Sequence, residues 1–120
     1  MTRPGRTPRL LTGPLPFVLV VLVSVVVLFS PASATPSGLP PGVDKITHLA
    51  LFAALAWTGR RAGLPVGGLA VGLVAYAVAS EVLQAVLPFG RDADPLDAVA
   101  DVVGAALGLI ATRRSARAPG

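Results

Sequence analysis

The chain has 120 residues, of which 53% are hydrophobic and 13% charged, and its mean hydropathy is +0.75. Soluble domains carry about a quarter charged residues, so this composition excludes an ordinary soluble fold and points to one integral membrane domain. The net charge of +4 sits mainly in short arginine clusters beside apolar stretches rather than along a solvated face, which excludes nucleic acid as a partner. With no cysteine, disulfides, thiolate metal sites and cysteine nucleophiles are excluded as well.

In chain order, a basic tail (1–9) precedes a first apolar span over 10–30, dominated by Val and Leu after Pro16. A Pro, Ser and Gly-rich connector, PASATPSGLPPG, cannot continue a helix. The second span, 43–59, is short and carries Asp44, Lys45 and His48 near its start, and GRRAG then forms a tight basic loop. The third span, 64–87, is the longest. PFGRDADP leads into the fourth, 95–112, before an arginine-rich tail over 113–120. Crossing a hydrocarbon core of ~30 Å takes about 20 residues, so the pattern predicts an all-α, four-helix transmembrane bundle.

Four crossings put the N-terminus, the GRRAG loop and the C-terminus on one side, together with eight of the ten basic residues: Arg3, Arg6, Arg9, Arg60, Arg61, Arg113, Arg114 and Arg117. The positive-inside rule makes that side cytoplasmic. The other two connectors then face outward, with all six acids in them or in the bordering ends of the spans. The first span has a rival reading: three arginines, a Val/Leu core and Ala32-Ser33-Ala34 have the layout of a cleavable signal peptide. Cleavage would leave three spans with the same orientation.

Ionisable groups inside a bilayer are costly and mark a site or a pairing requirement. Asp44 and His48 are four apart on one helical face, Glu81 and Gln84 three apart with Ser80 beside them, and Asp97, Asp101, Gly104 and Gly108 follow one stripe. Three spans thus aim a polar face at the same outer depth, which predicts one shared cluster at the bundle centre. Gly68 with Gly72, and Gly104 with Gly108, make small-xxx-small patterns for close helix packing.

Plainer roles stand beside these. Asp94-Pro95-Leu96-Asp97 reads as a helix start, with Asp94 the cap. Asp44 is open to the same capping role, Lys45 to snorkelling at the interface, and His48 to being a hydrogen-bonded core histidine. Asp92 reads as a solvated loop charge. Glu81 sits about six residues, or ~9 Å, below the end of its helix and must be protonated or paired. Arg91 is the nearest permanent cation.

These residues in this order resemble the VanZ-like family of small bacterial membrane proteins. The resemblance runs through Ser30-Pro31, Asp44-Lys45-Ile46-x-His48, Glu81-Val82-Leu83-Gln84, Pro88-x-Gly90-Arg91, and then Asp97, Asp101, Gly104 and Gly108, covering roughly residues 10–112. The family usually has asparagine where this chain has Asp101, and one residue fewer between the proline and the arginine. The resemblance implies four membrane helices with the motif residues near the extracytoplasmic surface, and it favours retention of the first span. The founding member is associated with resistance to the glycopeptide teicoplanin.

The leading expectation is a multi-pass protein of the cytoplasmic membrane whose outer cluster (Asp44, Lys45, His48, Glu81, Gln84, Arg91, Asp97, Asp101) engages an envelope lipid, a lipid-linked cell-wall precursor or a glycopeptide. Arg91 and Lys45 would meet anionic headgroup oxygens, and the acids would hold them in place. The alternative is a membrane-embedded hydrolase or transferase with His48 as general base. A third reading is structural, the polar groups satisfying one another and fixing helix registry. No cofactor or metal is expected, because one imidazole stands among carboxylates, and the oligomeric state stays open.

Overall fold

A computed structural model of the chain describes residues 13–30, 42–87 and 94–117, apart from the side chains of 115–117. Among the described residues there are four helices and no strand: α1 (Pro14–Phe29), α2 (Val43–Arg61), α3 (Val66–Val86) and α4 (Pro95–Arg117). Ala32-Ser33-Ala34, most of the two longer connectors, Asp92 and Arg91 lie outside the described residues.

Local chemistry sets the helix ends. The α1 sequence opens on Pro14, whose missing N–H costs nothing at a helix start. α1 ends at Ser30, which is extended because Pro31 follows. α2 closes into the basic loop through Gly63, whose φ of +95° suits glycine. There the N–H of Gly63 reaches the Arg60 carbonyl at 3.0 Å, and that of Leu64 reaches the Gly59 carbonyl at 3.1 Å. At the start of α4 the Asp94 carboxylate accepts the Leu96 N–H at 2.9 Å, the capping role expected for it.

Side-chain partners give the helix directions. Lys45 meets Asp97, His48 meets Asp101, and Leu49 and Ala53 lie against Gly104 and Gly108, so α2 and α4 run parallel in constant register. In the same way Ser24 meets Tyr76 and Leu28 meets Gln84, so α1 and α3 run parallel to each other. Gly59 near the end of α2 touches Phe17 and Leu69 near the starts of α1 and α3, which makes the two pairs antiparallel. All four helices therefore alternate in direction, and one end of the bundle collects the starts of α2 and α4 with the ends of α1 and α3.

The α2 and α4 helices approach through glycine. A methyl group at Gly104 would stand 2.8 Å from the Leu49 carbonyl carbon, and one at Gly108 would stand 2.8 Å from Ala56 Cβ. Neither fits without moving a helix. Gly68 and Gly72 behave differently from expectation. No neighbouring helix comes within 4 Å of a methyl placed at either one, and both line an apolar groove of about 490 Å³ beside Phe17, Val21 and Tyr76. The same spacing brings helices together only where a second backbone lies opposite, and α1 stands away from that part of α3.

The buried core is Leu28, Phe52, Leu55, Ala56, Leu69, Leu73, Ala77 and Ala105, with the Phe52 and Tyr76 rings stacked at 5.4 Å. Buried beside it are Ser24, His48, Ser80, Gln84, Asp97 and Asp101, while valines and leucines cover the outside, among them Leu22, Val26, Val71, Val78 and Val99. Two helices, α3 and the Pro95–Arg114 part of α4, are long and apolar enough to cross a membrane. α1 is apolar but its 16 residues reach only about 24 Å. α2 carries Asp44 and Lys45 at one end and Arg60 and Arg61 at the other.

Candidate functional site

The site lies at the end of the bundle where α2 and α4 begin. His48 is its centre, 2% exposed. Its Nδ1 is 2.7 Å from Oδ1 of the fully buried Asp101. A carboxylate accepts, so Nδ1 carries the proton in this pair and Nε2 faces the other way. Nε2 lies 3.7 Å from Asp97 Oδ2 and 3.8 Å from Asp44 Oδ1, both beyond hydrogen-bonding range. Two turns of α4 thus supply carboxylates to opposite edges of one imidazole, and this follows from the i, i+4 spacing of Asp97 and Asp101 on the face that Gly104 and Gly108 press against α2.

Lys45 is held one turn before His48. Its ammonium pairs with Asp94 and lies 3.0 Å from Asp97 Oδ1. The hydrogen bond from Lys45, followed by that from the Leu96 N–H, holds the Asp94 carboxyl below its ordinary range. Asp97 is therefore shared, one oxygen toward Lys45 and the other toward His48. Asp44, the candidate cap, makes no cap hydrogen bond, and its side chain stays 58% exposed on the solvent side of His48.

Glu81 enters from α3. Its Oε2 accepts the backbone N–H of Asp94 at 2.9 Å, so among the described residues its hydrogen-bond partner is the start of α4. Among the described residues its Oε1, Asp97 Oδ1 and Asp101 Oδ2 are buried without a hydrogen-bond partner. One ligand atom each from Asp44, His48 and Asp97 lie within 4.8 Å of one another, and the same holds for His48, Glu81 and Asp101. Five of the six acids of the chain thus surround one lysine and one imidazole.

Six of the eight expected cluster residues come together here: Asp44, Lys45, His48, Glu81, Asp97 and Asp101. Gln84 does not join them, since its Nε2 donates to the Leu28 carbonyl at 2.6 Å and ties α3 to α1. Ser80 bonds back to the Ala77 carbonyl of its own helix. Arg91 falls outside the described residues. Asp94 is the residue the sequence reading undervalued, being at once the cap of α4, the partner of Lys45 and the donor to Glu81. Its signal was its place one turn before Asp97. The Ser24 and Tyr76 hydroxyls, 2.9 Å apart, also went unread, although Ser24 is the single polar residue within α1.

Among known proteins, no family model, no curated protein and no solved structure matches the chain.

Proposed function

We propose that the chain is a VanZ-like integral membrane protein of the cytoplasmic membrane, crossing it four times with both termini cytoplasmic. Its outward-facing polar cluster engages an envelope lipid, a lipid-linked cell-wall precursor or a lipophilic glycopeptide. The observation that carries the reading is the separation of charge along the bundle. Lys45, His48 and five carboxylates meet at one end, while Arg60, Arg61, Arg113 and Arg114 occupy the far ends of α2 and α4. The positive-inside rule then turns the cluster outward.

The inverted polarity of the bundle supports the membrane. His48, Asp97 and Asp101 are buried while many valines and leucines are exposed on the outside, an arrangement that water penalises and lipid favours. α2 crosses in the company of α4, with its charges at its two ends where interfaces would lie. Lys45 has three N–H donors and two acid partners, so one donor remains for an anionic headgroup oxygen, and exposed Asp44 accepts from a ligand hydroxyl or amine.

Two measurements test this. Single cysteines at positions 60 and 91, probed with a membrane-impermeant thiol reagent on intact cells, should label at 91 alone; labelling at 60 would invert the topology. Purified protein in nanodiscs should bind teicoplanin or a polyprenyl-pyrophosphate-linked precursor, with Lys45→Gln weakening the binding at least tenfold. Equal binding by Lys45→Gln and wild type would remove the cluster as the ligand site.

A second reading has one observation in its favour. An imidazole oriented by a buried carboxylate, as His48 is by Asp101, is the arrangement of a general base. A membrane hydrolase or transferase of this kind would turn over a lipid-linked substrate, and His48→Ala would abolish turnover while leaving substrate binding in place.

A further inference from the structure

We infer that Asp44, His48 and Asp97 form a binding site for one divalent transition-metal ion of the zinc type, with Asp101 and Lys45 positioning the ligands. The inference stands apart from the identity of the lipid or glycopeptide. With its proton on the Nδ1 side toward Asp101, His48 turns the lone pair of Nε2 toward two carboxylates. In the neutral ring three acceptors then face one another, a set that either a proton on Nε2 or a metal ion between them relieves, and the separations distinguish the two.

The spacing suits an ion. Ligand atoms about 2.1 Å from a metal stand ~3.4 Å apart at the tetrahedral angle and ~4.2 Å apart when opposite. The Nε2 to Asp97 and Nε2 to Asp44 separations of 3.7 and 3.8 Å fall between these values. They are too long for hydrogen bonds, and the Nε2 that faces both acids belongs to a side chain only 2% exposed.

The surroundings supply an independent argument. Metal-ligating histidines commonly donate their other N–H to a carboxylate, and ligating carboxylates are themselves held by donors. Asp101 does the first at 2.7 Å. Lys45 holds the second by charge alone, its ammonium 3.0 Å from Oδ1 of Asp97, the oxygen not turned to His48. One nitrogen and two carboxylate oxygens suit a first-row divalent ion better than calcium or magnesium, which favour all-oxygen sets. Three protein ligands leave a coordination position on the side of exposed Asp44, open to a water or a headgroup oxygen.

The test is Co²⁺ binding by the full chain, purified without a polyhistidine tag and kept in nanodiscs, followed by visible absorption and by competition with Zn²⁺. Wild type should take up one equivalent. His48→Ala and Asp97→Asn should lose the spectrum, as should Asp44→Asn, whose exposed position spares the fold if the buried variants fail to assemble. Asp101→Asn should keep the spectrum and weaken affinity by about 10–100-fold. Glu81→Gln should bind as wild type does. Wild type binding no more Co²⁺ than Asp44→Asn would overturn the site. So would loss in Glu81→Gln with retention in Asp44→Asn, which would place the ion between His48, Glu81 and Asp101 instead.

Discussion

The two parallel helix pairs of this bundle are built in opposite ways. α2 and α4 meet backbone to backbone through Gly104 and Gly108, and every charged contact between helices described above involves one or both of them. α1 and α3 are tied by Ser24 to Tyr76 and by Gln84 to Leu28, and an apolar groove opens beside those ties. Groups whose chemistry depends on tenths of an ångström sit on the pair that has no freedom to slide. Single hydrogen bonds suffice for the pair that carries no such groups.

That contrast breaks most completely at Gly104. Valine there would collide with the Leu49 backbone, which cannot rotate aside, and the cost should reach about 3 kcal/mol, the upper part of the usual overpacking range. Unfolding in mixed micelles would measure it, and a stability equal to wild type would mean that the helices are not held as described. On the looser pair, Gln84→Ala leaves the Leu28 carbonyl without its donor and should cost only about 0.6 kcal/mol, the average for membrane hydrogen bonds. A loss as large as that of Gly104→Val would erase the distinction between the pairs.

Acid gives a subtler probe. The Asp94 carboxyl is held below its ordinary value of 3.8 by Lys45, so its stabilising contribution is complete above 3.8 and is lost as the pH falls through the lower folded value. The melting temperature of wild type should therefore drop in that window, and Asp94→Asn should flatten the part of the drop that belongs to this pair. Smallest of all, Gly72→Ala meets open space and should change stability by no more than about 0.5 kcal/mol. A large loss there would show a helix or a second copy seated in the groove.

Much of this was legible in the sequence. Hydropathy located all four helices, and the second, third and fourth begin within two residues of the expected positions. The expected ends were less accurate where polarity and helicity part company. α4 continues through Arg113 and Arg114 to Arg117 because arginine is a good helix former, although it ends an apolar run. Helical spacing brought Asp44, His48, Asp97 and Asp101 together correctly because they share faces of two helices in constant register. It misplaced Gln84, which shares its buried stripe with Ser80 and Ala77 and so faces α1 rather than the acids. It also gave Gly68 and Gly72 the same role as Gly104 and Gly108. Spacing describes one helix, and whether a partner lies opposite depends on the others.

The register of α2 against α4 has a consequence for how the protein is made. His48 and Asp101 are 53 residues apart, and α2, which carries the first, is synthesised well before α4, which carries the other. Until α4 packs against α2, His48 and Lys45 lack Asp94, Asp97 and Asp101, and the α2 backbone lacks the glycine face that covers it. The site is therefore completed only when α4 docks, and a ribosome product truncated before residue 94 would hold Asp44, Lys45, His48 and Glu81 without the three aspartates that pair with the lysine and the imidazole.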